Sequence, residues 1–276
     1  MPEIIPPSGE ISFEQNKTKF FTELSLRVKK ALELHRQAGL WERKDGRRDW
    51  GNVSEHCLAE TARVTEFAKL LNLPSAIKNN LMLAAAVHDY NKKDEIIAMK
   101  TAGKTGESEL TASKDADARK TERMREAGFS DDIIHLANAM GGHPAELIEC
   151  KRLLDKQDFT DEDITYLVLH YVDDISQGSD WVKESDGTKN TIDYRIEATQ
   201  QKLGYSKIGE EIAAELEKNE FFKGMNVATA MATVSHLIER RLAKLIQDRS
   251  GVEIEPLKIP EYIDQKIREK IENLQT

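Results

Sequence analysis

The chain is poor in residues that interrupt helices. It has 15 glycines and 7 prolines in 276 positions, about 8 % against a usual ~12 %. With Glu, Lys, Leu and Ala abundant, this composition excludes a fibre and favours helices. Only two cysteines occur, Cys57 and Cys150, with no CxxC pair. That excludes a disulfide scaffold and fits a reducing compartment, and Cys57 falls within a helical apolar pattern that reads as core. No apolar run approaches the ~20 residues needed to cross a bilayer; the longest spans Leu81 to Val87. The opening segment, with Pro2, Pro6, Pro7 and Gly9, carries no basic region followed by an apolar one, so it reads as a flexible leader and the expected location is the cytoplasm. Basic charge is not in excess: 40 Lys+Arg stand against 49 Asp+Glu, a net charge of −9. An extended nucleic-acid surface is therefore not expected, although a local basic pocket is compatible with these numbers.

At this length the chain holds one large domain or two small ones. The pattern divides into a leader over 1–12, a single helical domain over 13–250 and a linker with a helix over 251–276. Apolar spacing predicts a first helix from Phe20 to Ala38. Trp41 to Gly51 reads as a loop with four basic side chains between two tryptophans. Asn52 or Ser54 can cap the next helix, whose stripe of Leu58, Ala62, Phe67, Ala68 and Leu71 ends before Pro74 and which carries His56. A strongly apolar helix runs from Ser75 through Val87 and ends in His88-Asp89. Thr101 to Ala118 is polar without a firm period and is expected to be a mobile loop or lid.

Further helices are predicted over Lys120 to Ala127, over Ser130 to Met140 with Ser130 as cap, over Pro144 to Leu154 beyond the Gly141-Gly142 break, and over Ile164 to Ile175 behind a Thr160–Asp163 capping box. After a loop over Gly178 to Asn190, amphipathic helices follow near 192–203, 207–218 and 226–247, and a charged one over Glu261 to Asn273. The expected fold is an all-α bundle with additional C-terminal helices, which complete the core or form a homodimer surface.

His56, the His88-Asp89 pair and Asp173 would bring chemistry from three buried helices. Neighbouring His and Asp side chains on a helix diverge by about 100°, which suits a metal held in a crevice between helices. Imidazole nitrogens and carboxylate oxygens without thiolate favour a divalent ion such as Mn, Fe, Co, Ni, Mg or Zn. Taken singly, each residue reads more simply as a hydrogen-bonded core histidine or a helix-end aspartate; the ordered set points to metal. Asp174 competes with Asp173 for the last place.

Asn52-Val-Ser-Glu-His56, Ala84-Ala-Ala-Val-His88-Asp89 and Tyr171-Val-Asp173-Asp174-Ile175 resemble the HD superfamily of metal-dependent phosphohydrolases, whose ordered signature is H…HD…D. The Val-Ser-Glu-His stretch is similar to that of bacterial HD-type 5′-nucleotidases, and the resemblance covers about residues 47 to 178. It implies an HD-type helical domain in which His56, His88, Asp89 and Asp173 hold a metal that activates a water against a phosphate ester of a small molecule, in the first place a nucleotide. Some HD enzymes hold two ions with extra histidines; His143 is the better placed here and His135 the lesser.

Lys92 occupies the lysine position of the dinuclear His-Asp-x-Gly-Lys pattern, with Asn91 in place of the glycine, whereas HD-type nucleotidases place a Glu there. Lys92 is thus a point charge for phosphate. Arg47 and Arg48 stand where nucleotidases keep a phosphate-binding arginine, and with Trp50 they are the expected substrate contacts. Glu60, one turn after His56, can orient it as an outer carboxylate. Asp89, Lys92 and Glu60 are the expected catalytic groups. Competing readings are a di-iron HD-type oxygenase and a non-catalytic nucleotide-binding sensor.

Overall fold

The computed structural model describes residues 13–40, 43–44, 47–48, 51–140, 143–176, 192–193, 197, 200–201 and 206–275. The expected leader, Trp41, Trp50, the Gly141-Gly142 break and the 178–190 loop lie outside the described residues. The fold is an all-α bundle, joined by one two-residue antiparallel pairing between β1 (Arg43–Lys44) and β2 (Arg47–Arg48).

Its helices are α1 (Phe13–Arg27), α2 (Lys29–Gln37), α3 (Gly51–Leu70), α4 (Ser75–Val87), α5 (Lys92–Thr105), α6 (Glu109–Glu126), α7 (Asp131–Ala137), α8 (Pro144–Leu154), α9 (Asp161–Ile175), α10 (Lys207–Leu216), α11 (Val227–Ser250) and α12 (Ile259–Glu272). Among the described residues, no helix is long and apolar enough to cross a membrane.

Three helices form the centre. Helix α4 is apolar on most sides, with Leu81, Met82, Ala84, Ala85, Ala86 and Val87 all buried. It packs against α3 and α9, with α2 and α7 outside it. Helix α9 is buried from Asp163 through Ile175. Its start is fixed by the expected reciprocal cap: Thr160 Oγ1 accepts from the Asp163 amide at 3.2 Å, and Asp163 Oδ2 accepts from the Thr160 amide at 3.0 Å. An all-round apolar helix is stable only when covered by others, which is why the ends of α4 and α9 can bring polar groups into a dry interior. Around this centre, α11 covers α8 and α9, while α12 packs on α1 and α3.

Two sequence expectations are corrected. The first helical stretch is two helices, α1 and α2, that meet at Val28. The 101–118 segment is not a lid: it is the end of α5 and the start of α6, separated by a turn at 106–108. Gly106 takes φ 81°, a left-handed conformation open to glycine, and ends α5. Ser108 Oγ then accepts from the Thr111 amide at 3.0 Å and opens α6. The buried face of α6 is Leu110, Ser113, Ala116, Lys120 and Met124, spaced by three and four residues. Ser113 and Lys120 stand where an apolar pattern needs aliphatics, so the helical period was hidden by polarity.

Candidate metal centre

Helix α3 supplies two groups to one face. His56 and Glu60 are four residues apart, hence one turn above each other, and both are buried. His88 is the C-cap of α4, its amide donating to Ala84 O at 3.0 Å. Asp173 lies two residues before the end of α9. The donor atoms of His56, Glu60, His88 and Asp173 all fall within 4.8 Å of one another. Glu60 Oε1 is 3.0 Å from His56 Nε2, Glu60 Oε2 is 3.3 Å from His88 Nδ1, and Asp173 Oδ1 is 3.5 Å from His56 Nε2.

Hydrogen bonding assigns the His88 tautomer. Its Nδ1 lies 2.9 Å from Ala85 O, which can only accept, so Nδ1 carries the proton and Nε2 keeps a lone pair. That Nε2 and His56 Nδ1 are buried with no hydrogen-bond partner, and both Glu60 oxygens face the two imidazoles without a well-aligned hydrogen bond. Buried polar atoms are rarely left so. Two imidazoles and two carboxylates with orphaned atoms in one spot fit a divalent cation in both donor chemistry and charge. The field points the same way. Burial pushes the His56 imidazolium down, but the Glu60 and Asp173 carboxylates outweigh it and hold its pKa up to about 10.

Asp89 stands at the rim, its side chain 22 % exposed, with Oδ2 3.8 Å from His88 Nε2 and Oδ1 3.6 Å from Lys92 Nζ. Burial raises its carboxyl, but Lys92 and then His88 outweigh this and hold it down at about 2. The Lys92 ammonium is held well above its usual range, by Asp89 against the effect of burial and with help from Glu95. From Lys92 a polar relay leads away from the four donors. Lys92 Nζ is 3.1 Å from Glu95 Oε2, Ser113 Oγ donates to Glu95 Oε1 at 2.7 Å, and His143 Nε2 is 3.3 Å from both Ser113 Oγ and Asp117 Oδ2.

The structure therefore brings His56, His88 and Asp173 together as expected and adds Glu60 to the same group, while Asp89, the other expected ligand, stands outside the four donors. The register question at 173–174 is answered by Ser235, whose hydroxyl donates to Asp174, and by His170, 3.4 Å from that carboxylate. Asp173 is the residue in the cluster. His143 sits at the far end of the relay, and His135 is exposed and tilted against Tyr166 at 5.4 Å between ring centroids. Arg47 and Arg48 belong to β2, while their side chains, and Trp50 entirely, lie outside the described residues. Glu95, Asp117 and Lys120 were not singled out in the sequence, because they lie in or beside the segment whose helical period was hidden.

Comparison with protein-family models, with curated proteins and with solved structures finds no match. Fold and site together define an all-α protein with a buried His/Glu/His/Asp cluster that can hold a metal ion.

Proposed function

We propose that this chain is a metal-dependent phosphohydrolase of HD type, acting on a phosphate ester of a small molecule, in the first place a nucleotide. The observation that supports the reading is the convergence of His56, His88 and Asp173, three members of the H…HD…D order, with Glu60 among them, while Asp89 of the pair and the cationic Lys92 stand at the edge.

A divalent cation held there supplies Lewis acidity toward a phosphoryl oxygen and acidifies water. The chain's own residues do the rest. Lys92, 38 % exposed, meets a phosphoryl oxygen as a point charge, and the substrate anion then competes with Asp89 for its ammonium. Asp89, ionised throughout the neutral range, orients the Lys92 ammonium. Glu60 holds the His56 and His88 rings toward a common point, so binding needs little rearrangement. The helices behind them leave Asp89 and Lys92 the most exposed of these groups. We assign one ion, because His143 is engaged by Ser113 and Asp117 away from the four donors.

The test is hydrolysis of a panel of nucleotides and simple phosphomonoesters by protein loaded with Mn²⁺, Co²⁺ or Mg²⁺. Phosphate release that falls by about 100-fold or more in Asp89→Ala is expected. Metal-loaded protein inert on the whole panel, or unchanged turnover in Asp89→Ala, overturns the proposal.

A further inference from the structure

Among the described residues Arg63 is the largest side chain fully removed from solvent, an expensive place for a permanent charge. It lies on α3, seven residues after His56 and three after Glu60, on the same side of the helix. Its guanidinium is shared among three elements. Nε and Nη2 donate to Asp264 Oδ1 at 2.9 Å and Oδ2 at 3.0 Å, a bidentate fork onto α12. Nη1 donates to Ser176 Oγ at 2.6 Å. Ser176 closes α9 three residues after Asp173; its amide donates to Asp173 O at 3.1 Å and its hydroxyl to Val172 O at 2.6 Å. One buried cation thus ties the helix carrying His56 and Glu60 to the helix end carrying Asp173, and a carboxylate from α12 holds that cation in place.

We propose that Asp264 is a positioning residue for the metal centre: through Arg63 and Ser176 it fixes the separation between the two donors of α3 and Asp173, so that docking of α12 and occupancy of the centre are coupled. The proposal rests on the metal-binding reading of the four donors. Its physical basis is charge allocation. Without the Asp264 carboxylate, the buried guanidinium must find another anion, and Glu60 and Asp173 each lie within one turn of Arg63 or its partner Ser176. An arginine drawn toward either one competes directly with a cation for it. Outer partners of this kind change metal affinity by about 10–100-fold when removed, and coupling between two sites is reciprocal.

The experiment titrates full-length wild type, Asp264→Asn and Ile267→Ala with Co²⁺, reading affinity and the visible cobalt spectrum. Ile267 is buried on the same helix and carries no polar group, so its truncation destabilises the helix while keeping the hydrogen bonds of Arg63 to Asp264. The expected result is cobalt affinity reduced about 10–100-fold in Asp264→Asn, with a changed spectrum, and unchanged affinity and spectrum in Ile267→Ala. Bound cobalt should also slow amide exchange over 259–272 in wild type and not in Asp264→Asn.

If Asp264→Asn does not fold, Ser176→Ala, which keeps the Arg63–Asp264 pair, takes its place in the titration with the same expected direction. Wild type that binds cobalt while both polar variants match it, or Ile267→Ala that loses affinity equally, overturns the coupling alone. Wild type that takes up no cobalt overturns the metal reading and the coupling together.

Discussion

Two buried histidines less than two helices apart in sequence meet opposite fates. His35, on α2, has Nε2 2.8 Å from Ala86 O and Nδ1 3.1 Å from Ser54 Oγ. The carbonyl can only accept, so Nε2 carries the proton and Nδ1 receives the serine hydroxyl. Burial then dominates and pushes the His35 pKa down to about 4. His56, only two residues beyond Ser54 and also buried, faces Glu60 and Asp173 instead, and is held up to about 10. Dipoles satisfy a neutral ring; carboxylates demand a cation. The first environment stitches α2 to α3 and α4, and the second has the charge and donor set of a binding site.

The contrast can be broken most severely at the ligands. His56→Ala should weaken Co²⁺ or Mn²⁺ binding by more than about 100-fold, whereas His35→Gln should leave it within about threefold; calorimetric titration of both variants checks this, and equal losses would erase the distinction. A smaller effect is expected on acid stability. Because the folded-state pKa of His35 lies below its unfolded value near 6.5, the unfolded chain binds the extra proton first. The stabilisation is complete above about pH 6.5 and is lost progressively as pH falls to about 4, amounting to about 3 kcal/mol. Denaturant unfolding across that window should show a flatter pH slope in His35→Gln; an unchanged slope contradicts the assignment. Smallest is Ser54→Ala, which leaves His35 Nδ1 without its donor and should cost about 1–2 kcal/mol, read as a lower urea midpoint with metal affinity retained.

The same contrast explains what could be read from the sequence. Where one physical signal dominates, reading succeeded: the apolar run of α4, the Thr160–Asp163 cap of α9, the Ser130 cap whose oxygen accepts from the amide of Ile133, and the His56…His88…Asp173 order. Glu60 was visible by its four-residue spacing from His56, but spacing cannot say whether a carboxylate faces solvent or a dry crevice. That depends on α4 and α9 covering it. The first part of the helix at 109–126 was missed, its end over Lys120 to Ala127 having been expected, because Ser113 and Lys120 occupy its buried face for polar reasons, one bonded to Glu95 and the other 3.3 Å from Asp117. The bracket of Arg63, Ser176 and Asp264 spans more than 200 residues of chain, and no local pattern announces a pairing made only by tertiary contact.

The central claim is that four side chains from three helices form one cation site. Elemental analysis of the purified chain, paired with titration of the metal-stripped protein, tests it most directly. The account predicts one divalent ion per chain in wild type and none retained in Asp173→Asn. A wild-type chain that takes up no divalent ion, or an Asp173→Asn chain that carries as much as wild type, would contradict it.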